Sequence, residues 1–414
     1  MALSPSRASG NDVPDVVAPP PHHPRFPLTV SLRGIPAIAI IVGHAWFFTG
    51  GFGGFTESLP NRAMVRMDGL VALFFLLSAF LLYRPFIAHR ARGPAAPTVS
   101  AYGKRRFLRL YPAYWVALTL LAIAPGVYGA FSGNWWAFYS LTDFFDLRLH
   151  DVCPPNEEFR CGLPQSWTLG VDMSFYVLLP LWVGVTALIA RGREPREWMR
   201  IELGLIAVAG LTSLILGGPP FDLREHDWFI YTALGHLFWF GLGLALAVVS
   251  VAYGYRDVDP LPRPLRAAAE RPVLCWLAAA AIYVVTVFAF YPAPFIVAPF
   301  IDETTYLWLN VIQGAAAVLI FIPAVFGNPN RGAPARLLGQ PWLLWVGLIS
   351  YGLLLWNTTF AANLGYPGAD EGYWTVLIAG SLLAVPLAAL SYYLVERPLM
   401  RFKYRPIREL LRRS

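Results

Sequence analysis

The sequence predicts an all-α polytopic membrane protein with about ten transmembrane helices. Hydrophobic residues make up 57% of the 414 residues and charged residues only 14%, proportions that ordinary soluble domains do not have. Ten apolar stretches are each long enough to cross a bilayer, which takes about 20 residues. These observations exclude a soluble globular protein and make the lipid bilayer a partner of the chain.

The ten predicted spans follow one another along most of the chain. They cover Leu28–Phe48, Gly69–Ala88, Tyr111–Ala130, Asp172–Ala190, Ile201–Gly217, Trp228–Ala252, Val273–Tyr291, Thr305–Phe326, Trp342–Ala362 and Tyr373–Leu394. Residues 1–27 are rich in Pro, Ser and Ala and poor in apolar residues, which predicts a disordered tail. Residues 28–395 then form one membrane domain, and 396–414 form a basic tail.

The distribution of positive charge predicts the orientation of these spans. If both termini are cytoplasmic, the segments on that side contain 25 Lys and Arg residues, and the loops on the other side contain 4. This bias follows the positive-inside rule, so we expect a multi-pass protein of the plasma membrane with both tails in the cytoplasm. The net charge of +7 then faces the anionic inner leaflet, and no nucleic-acid partner is needed to explain it.

The three cysteines agree with this orientation. Cys153 and Cys161 fall in the longest outside loop, where an oxidising compartment permits a disulfide. Two free thiols are the alternative. Cys275 lies in the seventh span, where we expect it to contribute to packing. No cysteine or histidine spacing is typical of a zinc site, so we predict no metal.

The most informative residues are Arg33 and His44, in the first span. Eleven residues separate them, so a helix places both on nearly the same face, about 16 Å apart along its axis. Ionisable side chains inside a membrane are costly and are therefore candidates for function. An arginine that reaches the headgroups and a histidine that bonds a neighbouring helix are the structural alternative. The pair on one face favours function.

Basic residues also lead into the third span, in the segment KRRFLRLYPAYW. Arg106 and Arg109 are three residues apart and share a helix face. Guanidinium groups bind phosphates through paired donors, so this pair is a candidate phosphate site. Anchoring of the span at the cytoplasmic surface is the alternative.

Further polar residues are predicted in the outer half of the membrane, at the level of His44. Asp172 begins the fourth span, with Tyr176 one turn below it. A carboxylate there is favoured by the helix dipole, or it orients the His44 imidazole if the helices bring them together. His236 lies in the sixth span and is interpreted as a hydrogen-bond donor between helices. Imidazole titrates near pH 6.5, so His44 can take a proton from a hydroxyl at working pH.

Five segments together resemble the acyltransferase-3 family of integral-membrane proteins. These are SLRGIPAIAIIVGH, GLVALFFLLSAFLLYRPF, RRFLRLYPAYW, SWTLGVDMSFYVLLPL, and VGLISYGLLLWNTTF with YYLVERPLMR. They occur in the family's order. Three positions depart from its pattern: Ala79 stands where glycine is usual, Asp172 where glutamate is usual, and Asn357 where histidine is usual.

The resemblance implies an O-acyltransferase. It implies transfer of an acyl group, commonly acetyl from cytoplasmic acetyl-CoA, across the membrane to a hydroxyl of a carbohydrate, glycolipid or macrolide-type acceptor. Carried over by position, Arg33, His44 and Asp172 take catalytic roles, and Arg106 and Arg109 bind the acyl-CoA donor. A multi-span transporter or flippase is the alternative, since ten spans with polar residues at mid-depth also suit that class. A catalytically inactive relative that binds a lipid or sugar is a third.

Overall fold

The computed structural model describes residues 26–51, 58–91, 98–145, 153, 160–219, 221–254, 261–290, 302–365 and 372–402. Within these ranges the chain is helical and has no β-sheet, beyond one isolated bridge between Tyr128 and Cys161. The all-α fold class is therefore confirmed. Most of the two predicted tails, residues 1–25 and 403–414, lies outside the described residues.

Ten helices of 18 or more residues in the described ranges follow the order of the ten predicted spans. They are α1 (Leu28–Trp46), α2 (Val71–Arg90), α3 (Val99–Ile123), α4 (Trp167–Ala190), α5 (Pro195–Gly217), α6 (Leu237–Gly254), α7 (Pro272–Ala289), α8 (Glu303–Phe326), α9 (Pro341–Gly365) and α10 (Tyr373–Leu390). Eight helical segments of the described chain are long and apolar enough to cross a membrane, and only α3 and α6 fall short. The chain is a polytopic membrane protein.

Shorter helical pieces connect and extend these ten. In the described chain the short α-helices are Leu59–Val65, Trp135–Ser140, Asp227–Ile230, Arg263–Glu270, Ala333–Leu338 and Arg397–Met400. The 3₁₀ turns are Arg66–Leu70, Asp143–Phe145, Pro164–Ser166 and Leu223–Glu225. Two wider π-helical segments extend long helices: Phe47–Gly51 follows α1 and Ser391–Glu396 follows α10.

Helix α3 begins earlier than the predicted third span, 111–130. The Thr98 hydroxyl caps it by accepting a hydrogen bond from the backbone N–H three residues later, at 3.2 Å. The charged first half of α3 lowers its hydropathy, which is why the prediction began too late. Arg106 and Arg109 consequently lie seven and ten residues inside the helix, about 10 and 15 Å from its start.

Helix α6 begins later than the predicted sixth span, Trp228–Ala252. A short helix, Asp227–Ile230, is followed by a turn, and α6 starts only at Leu237. The His236 side chain closes this turn through a 2.9 Å hydrogen bond between Nε2 and the Ile230 carbonyl oxygen. His236 therefore bonds its own connecting turn, and its ring also packs near Phe75 of α2 and Trp167 of α4, with centroid distances of 5.1 and 6.0 Å.

Helices α1 and α9 run parallel in close contact. Gly347 lies against Val30, where a Cβ on Gly347 would meet the Val30 carbonyl oxygen at 2.0 Å. Gly365 lies against Phe48, where a Cβ would meet the Phe48 carbonyl oxygen at 2.7 Å. Both pairs of positions are eighteen residues apart, which is five helical turns, so each helix uses one face for both contacts. The two backbones therefore touch along most of α1.

The end of the bundle at which α1 begins is called the first end, and the opposite end is called the second end. Two helices, α1 and α3, begin deeper in the bundle than the ends of their neighbours α2 and α4 at the first end. The Phe26 ring, just before α1, lies 5.3 Å from Phe80 and 5.2 Å from the Arg84 guanidinium, so α1 begins about 9–15 Å inside the end of α2. The Tyr102 hydroxyl, near the start of α3, donates to the Tyr176 carbonyl at 3.3 Å, about 21 Å from the end of α4.

The loop between α3 and α4 contains a disulfide between Cys153 and Cys161, whose Cα atoms are 5.8 Å apart. The disulfide was one of the two predicted alternatives. The predicted thiol Cys275 is buried in α7, and its Sγ contacts the Ala268 carbonyl oxygen at 3.2 Å. The packing role expected for Cys275 agrees with this position.

Candidate functional site

Three arginines from two helices converge within the bundle. Arg33 comes from α1. Arg106 and Arg109 come from α3, and both arginines act on Arg33 electrostatically. They meet because α1 and α3 both begin inside the first end, which brings the first turns of α1 to the level of the middle of α3. Like charges repel, so such a group is held together by nearby acids or by an anion.

Asp172 belongs to this arginine cluster. The side chains of Ser78 and Tyr176 lie beside its carboxyl group, and both Arg106 and Arg33 act on it electrostatically. The Arg106 guanidinium also lies over the Tyr176 ring, 5.7 Å from its centroid. The carboxylate thus balances part of the positive charge.

The helices do not bring Asp172 to His44, which was the condition for the orienting role of this carboxylate. A fourth span that starts at Asp172 places this residue in the outer half of the membrane, at the level of His44. Helix α4 starts at Trp167, so Asp172 lies five residues deeper. There it meets the side chains of α1, α2 and α3, and the His44 imidazole is held by other residues.

A second acid balances the other arginine of α3. Arg109 Nη1 donates to Glu396 Oε2 at 2.7 Å, and the Glu396 side chain has 0% exposure. Glu396 ends the π-helical segment after α10, and the Arg109 guanidinium also lies 5.8 Å from the centroid of the Tyr351 ring. Arg109 is therefore fixed in place by the protein, and fewer of its guanidinium N–H groups remain to bind a ligand.

His44 makes a separate centre with α9. Its Nδ1 lies 3.1 Å from Asn357 Oδ1 and 2.8 Å from Thr358 Oγ1. An amide oxygen only accepts hydrogen bonds, so the hydrogen bond to Asn357 Oδ1 requires the proton on Nδ1. In the neutral ring, Nε2 then holds a lone pair, and within the described chain it has no hydrogen-bond partner.

The two centres lie on one helix. Arg33 and His44 are eleven residues apart in α1, so about 16 Å separates the arginine cluster from the imidazole along the axis. Pro36 lies in the helix between them. All five predicted site residues are partly buried, so each keeps some accessible surface although it lies within the bundle.

The structure brings four of the five predicted residues together. Arg33, Arg106, Arg109 and Asp172 form one cluster, and His44 stands apart from it. Sequence reasoning missed Ser78, Thr358 and Glu396 as partners and left Asn357 without a role. The polar run Asn357–Thr359 inside an apolar helix was the signal that could have identified the partners of His44. Across the described ranges, no group of three His, Cys, Asp or Glu residues is arranged to hold a metal ion.

Comparison with known proteins gives the family. A family model described as "Acyltransferase domain", of the acyltransferase-3 family, matches residues 31–393. Nodulation protein 10 of Rhizobium leguminosarum bv. viciae is 25% identical over 385 residues, covering 90% of this chain and 92% of that protein. No solved structure matches the chain.

Two further relatives are longer than this chain. The putative peptidoglycan O-acetyltransferase YrhL of Bacillus subtilis is 24% identical over 416 residues, and the peptidoglycan O-acetyltransferase OatA of Listeria monocytogenes is 22% identical over 407 residues. The alignments cover 91% and 89% of this chain but only 55% of each relative. Since the family model spans most of a polytopic helical bundle, the chain belongs to the acyltransferase-3 family and is a membrane acyltransferase.

Proposed function

We propose that this protein transfers an acyl group, acetyl in the simplest case, from acyl-CoA to a hydroxyl of a carbohydrate, glycolipid or macrolide-type acceptor. The first end faces the cytoplasm in this proposal, and the protein lies in the plasma membrane. The observation that carries the proposal is the His44 imidazole, held at Nδ1 by Asn357 and Thr358 with Nε2 left open.

The open Nε2 fits the role of a general base. It takes the proton from the acceptor hydroxyl while the hydroxyl oxygen attacks the thioester carbonyl carbon. The carbon–sulfur bond then breaks, and the proton passes from the imidazole to the leaving thiolate of CoA. Asn357 and Thr358 support this step because they hold the ring in one tautomer and one orientation.

The arginine cluster fits the role of a donor site. Arg33, Arg106 and Arg109 supply three positive charges against the carboxylates of Asp172 and Glu396, so one positive charge is in excess. A phosphate-bearing donor that enters from the first end meets this charge before it reaches His44. Asp172 and Glu396 act by positioning the arginines.

The relatives support the choice of acceptor class. Two of them are named for O-acetylation of peptidoglycan, a carbohydrate polymer. Transfer to such an acceptor requires the acyl group to reach the side of the membrane opposite the cytoplasm. The place of His44 near the second end, about 16 Å beyond the arginines, agrees with that requirement.

The test uses the full chain reconstituted in lipid with radiolabelled acetyl-CoA. We expect acetyl transfer or release in the wild type, a loss of at least about 100-fold in His44→Ala, and unchanged acetyl-CoA binding. His226→Ala is the matched control, because His226 is exposed and lies outside both centres.

Two outcomes would contradict the proposal. Wild-type turnover in a well-folded His44→Ala variant would remove the imidazole from the reaction. A wild-type protein that neither binds nor consumes acetyl-CoA, but moves a glycosylated compound across the vesicle membrane, would favour a transporter.

A further inference from the structure

The described residues enclose a cavity of about 380 Å³ at the first end of the bundle. Its wall includes Leu28 at the start of α1, Tyr253 near the end of α6 and Phe326 at the end of α8. The volume falls within the range of pockets that bind small molecules, about 300–1,000 Å³. The cavity touches neither the arginine cluster nor His44, so it is a separate site.

Two arginines give the cavity positive charge. Arg266, from the short helix Arg263–Glu270, and Arg331, just before the short helix Ala333–Leu338, both line it and both are exposed. Neither guanidinium group makes a hydrogen bond or an ion pair within the described part of the chain. Glu270 also lines the cavity and pairs with neither arginine there. The paired donors of both guanidinium groups thus remain available for an anion.

The remaining wall suits an aromatic ring rather than a second charge. Tyr253, Phe326, Pro323 and Pro334 supply apolar and aromatic surface beside the two arginines. A purine can stack on such a surface while its phosphates meet the guanidinium groups. A lipid headgroup phosphate needs the charges but not the aromatic wall. The combination favours a nucleotide.

The cavity also lies in line with the site already described. Leu28 lines it, Arg33 follows five residues later in α1, and His44 follows after eleven more. These residues lie about 7.5 and 24 Å from Leu28 along the helix. A long ligand bound at one end in the cavity would therefore pass the arginine cluster before reaching the imidazole.

We propose that this cavity binds the adenosine-phosphate end of acyl-CoA, with Arg266 and Arg331 on its phosphates. The inference rests on the proposed function, because it assumes an acyl-CoA donor. It assigns the two ends of that donor to different places: the nucleotide lies at the first end of the bundle, and the thioester lies near His44.

The test compares two donors and one nucleotide on the full chain in neutral phosphatidylcholine nanodiscs. The donors are acetyl-CoA and S-acetylpantetheine, which lacks the nucleotide, and the binding probe is adenosine 3′,5′-bisphosphate. We expect Arg266→Ala and Arg331→Ala each to weaken bisphosphate binding and to raise the KM for acetyl-CoA by about tenfold. The kcat/KM for S-acetylpantetheine stays unchanged. Arg336→Ala is the matched control, since Arg336 is exposed at the same end but does not line the cavity.

The contrary results are distinct. Unchanged bisphosphate binding in the double variant Arg266→Ala with Arg331→Ala would reject the nucleotide site. An equal loss with both donors would indicate general structural damage instead. Stabilisation of the wild type, but not of the double variant, by anionic lipid without any bisphosphate binding would make this a lipid-phosphate site. Absence of turnover with every donor, together with normal arginine-dependent bisphosphate binding, would contradict the proposed function but not the nucleotide site.

Discussion

At the scale of single residues, the contact between His44 and α9 shows how this chain departs from its family. The family's usual histidine in the ninth span is replaced by Asn357, and the amide oxygen of Asn357 lies 3.1 Å from His44 Nδ1. An amide cannot take up a proton at working pH, whereas a second imidazole can. In this chain, we infer, the residue positions the base and does not share its proton.

Asn357→Ala and Thr358→Val are expected to lower kcat by about 10- to 100-fold each and to leave the KM for acetyl-CoA unchanged. Each change removes one partner of Nδ1, so the ring samples other orientations and the open lone pair is less often directed at the acceptor. Steady-state kinetics on the reconstituted chain measures the split between kcat and KM.

Asn363→Ala is the control for this prediction. Asn363 lies on the same helix, and its side-chain amide donates only to the Thr359 carbonyl oxygen, at 2.8 Å. The variant should keep wild-type kcat. A kcat as low in Asn363→Ala as in Asn357→Ala would mean that the loss reflects a weakened helix rather than a misplaced imidazole.

At the scale of the elements, the backbone contact between α1 and α9 sets the distance between His44 and its partners. Gly347→Ala places a Cβ 2.0 Å from the Val30 carbonyl oxygen, so the helices must separate. We expect a loss of about 1–3 kcal/mol in stability, with a lower melting temperature in detergent and a lower kcat. Thermal unfolding and turnover are measured on the same preparations.

Gly184→Ala is the matched control for this prediction. Gly184 lies in α4, and a Cβ there would meet nothing within 4 Å. Alanine also has the higher helix propensity, so this variant should be as stable as the wild type or slightly more stable. Equal stability of Gly347→Ala and Gly184→Ala would show that α1 and α9 are not held by the close contact.

The elements also show which features a sequence can predict. Span order and most helix ends follow from hydropathy and length, and Arg33 and His44 share a helix because their spacing lies within one span. The start of α3 could not be predicted this way, because its arginines are buried by other helices and not by lipid. The pairing of Asp172 with Arg106, and of Asn357 with His44, depends on which helices are neighbours. A single sequence does not give that arrangement.

At the scale of the whole molecule, the disulfide and the distribution of positive charge together predict on which side of the membrane the disulfide lies. With the first end in the cytoplasm, Cys153 and Cys161 lie outside the cell, and Cys275 is buried. A membrane-impermeant maleimide should label intact cells only after reduction, and Cys153→Ser with Cys161→Ser should abolish that labelling. Labelling without reductant would reject the disulfide. Labelling only of inverted vesicles would show that the first end lies outside the cell and the disulfide in the cytoplasm.

The glycine contacts between α1 and α9 also limit how the molecule can move during a cycle of turnover. Two helices whose backbones touch at positions five turns apart cannot slide or tilt against each other without breaking both contacts. Any opening that admits a donor from one side and an acceptor from the other must therefore occur elsewhere. Arg33 of α1 interacts with side chains of α3 and α4 through electrostatics, so an opening beside Arg33 would separate side chains and leave the backbone contact of α1 with α9 intact.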